Sequence, residues 1–202
     1  MIKYILSVLM LGVVAGYLNG NYGNVAVGGF VSDYLFVACL VLLLFLMGVS
    51  FGSDSEAISR LKKTGLKVFV FPVAIAAGSV TGGLIGGLFL GINVVASMAL
   101  CAGYGWYTLT GPLMIQLYGA ELGALGFATN FLRELLTILT VAMAVKVDKF
   151  APVAFGGATT MDTTLPVIVR YCGEDMLITA FSSGFVLSAV APLSIVALAS
   201  LS

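Results

Sequence analysis

Between Gly123 and Val145 an apolar run carries Asn130, Arg133, Glu134, Thr137 and Thr140. Spacings of three and four residues put these side chains on one stripe of a helix, with Glu134 near its middle. An ionised carboxylate at that depth in a bilayer costs about 2.5–3.5 kcal/mol, so it persists only beside a partner or a water-filled cavity. There it can hold a proton or a cation. Arg133, being adjacent, points roughly 100° away around the helix. The competing use of these charges is structural: Arg133 paired with Asp162, or Glu134 with a basic group elsewhere.

Asp162 stands inside Phe155-Gly156-Gly157-Ala158-Thr159-Thr160-Met161-Asp162-Thr163-Thr164-Leu165-Pro166, a stretch of breakers and hydroxyls. Backbone of this kind survives at membrane depth only when buried in protein or lining a cavity. Gly156 and Gly157 would let a ligand approach main-chain N–H groups, beside the hydroxyl of Thr160. The positive ends of half-helices suit a carboxylate, whereas Asp162 and Glu134 suit an ammonium. Together these describe an amino acid. A matching stretch runs Ala102-Gly103-Tyr104-Gly105-Trp106-Tyr107-Thr108-Leu109-Thr110-Gly111-Pro112. Here Tyr104, Trp106 and Tyr107, with Thr108 following, could meet a cation through a ring face; anchoring of these aromatics at the interface is the alternative. The chain has no His, which removes the commonest metal ligand and the usual neutral-pH proton relay. No metal site and no cofactor are expected, and Cys39, Cys101 and Cys172 read as small buried packing residues.

These side chains need elements to hold them, and composition says where those elements live. Of 202 residues 60% are hydrophobic and 9% charged, with a formal net charge of zero. This excludes a soluble enzyme and a nucleic-acid binder, and leaves a multi-pass membrane protein. Tyr4–Leu18, Tyr34–Phe51 and Val68–Leu90 read as the first three spans. Spacing such as Gly78-x-x-x-Gly82 in the third allows close helix contact. Arg60, Lys62, Lys63 and Lys67 crowd the loop 52–67, which is therefore cytoplasmic, as is Lys3; the uncharged loop from Asn19 to Asp33 is outside. The acids Asp33, Asp54, Glu56, Asp148, Glu174 and Asp175 fall in solvated loops.

Aligned on their prolines, the two interrupted stretches place Gly103 on Gly157, Thr108 on Asp162, Thr110 on Thr164, Gly119 on Gly173 and Phe127 on Phe181. The chain thus holds an internal repeat, approximately 98–146 and 151–201, each copy an interrupted segment followed by a long helix (Gly123–Val145, then Met176–Leu201). Lys146 and Lys149 belong in the cytoplasm, which makes the first interrupted segment a hairpin from outside. Arg170 makes the second a hairpin from inside, so the copies are inverted. The expectation is an all-α polytopic membrane protein, one transmembrane domain over 1–202, with about five transmembrane helices plus two re-entrant hairpins or fully crossing broken helices.

The segments Gly103–Gly111, Asn130–Leu135 and Gly156–Val167, together with Leu42–Ser50, resemble the LysO-type lysine exporter family. The resemblance implies an inner-membrane exporter of L-lysine and toxic lysine analogues, driven by proton exchange, with its intramembrane acid at Glu134. Longer members of that family carry a further hydrophobic block ahead of the point where this sequence begins. The expectation that follows is a small separately encoded membrane subunit or a homo-oligomer. Competing functions are a Na+ or other cation/proton antiporter and a non-transporting membrane subunit of a larger complex.

Overall fold

The computed structural model describes residues 7, 10–12, 14–19, 34–53, 59 and 67–201. Expectations for Lys3, for most of the loop up to Asp33, and for Asp54, Glu56, Arg60, Lys62 and Lys63 lie outside the described residues. The chain divides into two units, Met1–Ser50 and Phe51–Ser202. In the first, residues 10–12 and 14–19 are helical, and α1 (Phe36–Ser53) begins. The apolar side chains Val41, Leu42, Phe45 and Leu46 are exposed there, and so is Cys39. Cys39 is therefore not the buried packing residue that its apolar surroundings suggested.

The second unit runs α2 (Lys67–Leu90), α3 (Val94–Cys101), α4 (Tyr107–Tyr118), α5 (Ala120–Val147), α6 (Ala151–Gly156), a 3-10 turn (Gly157–Met161), α7 (Leu165–Cys172), a second 3-10 turn (Glu174–Met176) and α8 (Leu177–Ala199). Among the described residues Val70–Leu90, Ala120–Val147 and Glu174–Ala199 are long and apolar enough to cross a bilayer. At about 1.5 Å per residue the shorter helices α3, α4, α6 and α7 reach only part of the way. The interrupted segments are thus pairs of half-helices, as their breakers predicted.

Two glycines fold the half-helices back. Gly119 (φ 90, ψ 176) joins α4 to α5, and Gly173 (φ 96, ψ 160) follows α7; the repeat aligns them, and both lie in the left-handed region that only glycine enters freely. After the one-residue turn at Gly119, α4 packs along α5. Beyond Gly91 (φ 66), the Asn93 side chain caps α3 by accepting from the Ala96 N–H at 3.0 Å, and α3 packs along α2. That contact uses Gly83 and Gly87, where a Cβ would meet the Ser97 carbonyl oxygen at 2.6 Å and the Ser97 Cβ at 2.8 Å. Gly78 and Gly82 have nothing within 4 Å among the described residues. The glycine spacing predicted a close contact, but it forms one residue pair further round the helix.

Two contacts gather the ends. Phe71, at the start of α2, meets Phe150, just after α5, edge to face at 5.8 Å. Lys149 pairs with Asp175. The chain therefore enters α6 and leaves α7 at the same end of the unit, where Lys146, Lys149 and Arg170 also lie. Beneath this end Val153, Ile168, Cys172, Met176 and Ala180 form a buried apolar cluster. Elsewhere the interior is mixed: Leu109, Met114 and Leu187 are buried, and so are Thr110, Asn130, Thr137, Thr160, Thr164 and Ser188, while Leu88, Leu139, Met143 and Leu193 face outward. An outside of apolar side chains is what lipid as solvent selects.

Candidate functional site

The two breaks meet. The Ala158 N–H donates to the Tyr104 carbonyl at 2.8 Å, and the proline alignment makes these two residues equivalent. Each break is stitched to the long helix that follows it. Asn130 on α5 accepts from the Gly105 N–H at 2.7 Å and donates to the carbonyls of Leu100 and Gly126, both at 2.9 Å. The Thr160 hydroxyl lies 2.8 Å from the carbonyls of Gly157 and Ala180, the latter on α8. Gly184, which the repeat aligns with Asn130, lets α8 close on the break: a Cβ there would collide with Met161 N, Thr160 Oγ1 and Ala158 O.

Arg133 serves the end of α6. Its Nε and Nη2 donate to the carbonyls of Phe155 (2.8 Å) and Ala154 (3.0 Å), and Nη1 donates to Ser79 Oγ on α2 (2.9 Å). Carbonyls at a helix C-terminus have no partner within the helix and carry its negative partial charge, so a guanidinium fork fits them. Arg133 is thereby a tie between α2, α5 and α6 rather than the partner of Asp162.

Glu134, one residue on, turns toward other groups. Thr163 and Asp162 are the polar neighbours that act on it. Its Oε2 is buried with no hydrogen-bond partner among the described residues. Asp162 is exposed, its Oδ1 accepting from the Thr163 N–H at 2.6 Å. Tyr107 is the first residue of α4. Its ring stands edge to face against Phe127 (5.2 Å, 79°) and Phe131 (5.5 Å, 89°), which stack on each other along α5. The half-helices α4 and α7 both begin close by, at Tyr107 and Leu165. Their positive ends favour ionised carboxylates.

Of the nine residues singled out in the sequence, the fold sets Asp162, in the second break, near Glu134 on α5. Asn130, Arg133 and Thr160 lie close by with their polar groups given to backbone or, for one Arg133 nitrogen, to Ser79. The Gly157 N–H donates to Val153, and a Cβ there would meet the Tyr104 carbonyl and the Arg133 guanidinium. At Gly156 a Cβ would meet Thr160 and Thr164. Protein, not open space, thus occupies the approach to both glycines. Trp106 Nε1 donates to Thr108 Oγ1 at 2.9 Å, with Thr108 exposed. Tyr104 is no interfacial anchor: it is buried, and its hydroxyl meets Ser194 Oγ at 3.0 Å. Tyr107 was weighed only as a cation–π contact or an interfacial anchor, and Thr163, Phe127, Phe131 and Ser79 were not selected as site residues. The i, i+4 pair of phenylalanines one turn before Glu134 was the available signal for the aromatic wall.

Residues 6–199 match the family described as lysine exporter LysO. The chain is 32% identical over 158 residues to the lysine exporter LysO of Escherichia coli K12, covering 77% of this chain and 52% of that protein. It is 26% identical over 194 residues to a putative lysine exporter of Haemophilus influenzae, covering 95% of each. The chain therefore spans about half the length of the Escherichia coli relative and nearly all of the Haemophilus one. No solved structure matches it.

Proposed function

Because the chain belongs to the LysO lysine exporter family, we propose that it exports L-lysine and toxic lysine analogues across the inner membrane by proton exchange at Glu134. The observation that carries this reading is the Glu134 carboxylate, half-buried in a long apolar helix, one oxygen unpartnered, with Asp162 beside it. One carboxylate can be neutralised by a proton or by the substrate's ammonium, but not by both at once. Proton entry and lysine exit are then alternative occupancies of one site, which is what coupling requires. Asp162 adds the second negative charge that a cationic amino acid needs and a lone acid would lack.

The architecture supports the same reading. Equivalent residues of the two breaks are in contact, the two turn glycines share a conformation, and the ends of the α6–α7 segment are held together by Lys149 and Asp175. We read the copies as an inverted repeat of hairpin plus helix, the arrangement on which alternating access is commonly built. Lysine and the bilayer are its partners, and we place it in an assembly, as a homo-oligomer or with a small membrane subunit. A cation/proton antiporter is the second reading, since Glu134, Asp162 and Thr163 are all oxygen donors suited to Na+. A purely structural subunit fits less well, because Asp162 is exposed rather than sealed in a core.

The test is efflux of lysine and thialysine from cells lacking their own exporter. Glu134→Gln, still present in the membrane fraction, should lower efflux on the order of a hundredfold, the scale of losing one member of a buried charge interaction. Unchanged efflux removes Glu134 from the mechanism, and sodium-dependent transport that lysine does not stimulate favours the antiporter.

A further inference from the structure

The repeat offers an internal control for what surrounds the acids. Phe127 and Phe131 on α5 align with Phe181 and Phe185 on α8, and both pairs stack, with centroids 6.1 and 6.3 Å apart. Stacked phenylalanines on the long helix are therefore common to both copies and belong to packing. The residue set against them differs. In the first copy it is Tyr107; the aligned residue in the second is Met161, which fills space without a polar group. Likewise Glu134 aligns with Ser188, and Asp162 with Thr108. The copies diverge where the acids are, and the phenol hydroxyl is one of the groups that only the acid-bearing side possesses.

The Tyr107 ring packs edge to face against both Phe127 and Phe131, and Phe131 lies three residues before Glu134 on α5, so the ring stands one helical turn from that acid. Its hydroxyl makes no hydrogen bond among the described residues. A primary ammonium has three N–H donors and no acceptor, whereas a guanidinium is a planar fork of five. Glu134 and Asp162 supply two anionic acceptors, and the phenol oxygen is a neutral third.

We infer that Tyr107 is a specificity-determining residue of the acid site, its hydroxyl accepting from the ε-ammonium of the substrate's side chain and thereby favouring lysine over arginine, whose side chain ends in a guanidinium. This rests on the lysine-export reading and deepens it.

The experiment measures concentration dependence of lysine and arginine transport in vesicles holding the full chain, wild type against Tyr107→Phe, which keeps the ring and its packing. Loss of a hydrogen bond to a charged group predicts about a tenfold rise in KM for lysine. The maximal rate changes little and the arginine KM stays within about twofold, so the lysine preference collapses. An unchanged lysine KM, or equal shifts for lysine and arginine, overturns the inference. If the wild type transports neither amino acid, the export reading itself has failed; if it transports lysine and Glu134→Gln does not, that reading stands independently of Tyr107.

Discussion

Adjacent residues of opposite charge divide the work at the breaks. Arg133 neutralises carbonyls where α6 ends, whereas Glu134 lies beside Asp162 and Thr163, just ahead of α7. Replacing Arg133 by Met would leave two carbonyls and a serine hydroxyl without their donor. At about 1–3 kcal/mol per unsatisfied buried group, the variant should unfold in detergent well below the wild-type temperature. Arg133→Lys should recover only part of this, because one ammonium cannot span acceptors on α2 and α6 as a fork does. Equal melting of all three proteins would refute the tie. The stripe Asn130, Arg133, Glu134, Thr137 was legible from helical period alone. What each member does was not, since Thr163, Ser79 and the carbonyls of Ala154 and Phe155 are distant in sequence and become partners only through the breaks.

Among the elements, the contact between α2 and α3 depends most directly on the absence of side chains. Gly83→Leu would drive its side chain into the Ser97 carbonyl oxygen, Cys101 Cβ and Met98 Cα, all within 3.0 Å of where the new Cβ would stand. Overpacking of that kind costs about 1–3 kcal/mol or more. Gly82→Ala, one residue away, has open space and gains helix propensity, so its effect should stay within about 0.5 kcal/mol. Thermal stability of the two variants checks the pair, and equal losses would place the contact elsewhere. Sequence marked the small residues of α2 but not which glycine pair faces a neighbour, because every fourth position from 78 and from 83 fits the same pattern. The long helices were legible to within about three residues at each end, since apolar length is a strong signal. The half-helices were visible only as breakers, because propensity does not show whether a break turns the chain back.

At the scale of the molecule, the polar breaks are enclosed by helices whose outward faces are apolar, and both contacts that gather one end use the turn after α5, through Lys149 or Phe150. Cysteines placed at Lys149 and Asp175 should react with impermeant thiol reagents only from the cytoplasmic side and should be bridged by a short cross-linker, whereas Ile92→Cys should react from outside. Labelling of position 92 and position 149 from one side would contradict the hairpin reading. The ion pair itself is exposed and contributes at most about 1 kcal/mol, so the substitutions leave the fold intact. The hydrogen bond from Ala158 to Tyr104 has a different consequence. A machine that alternates by exchanging the postures of two matched arms needs a fulcrum, and a contact between matched residues is the one place that such an exchange leaves where it was. On the proposed export reading, the walls on either side would swing about that bond while the bond itself stays where it is.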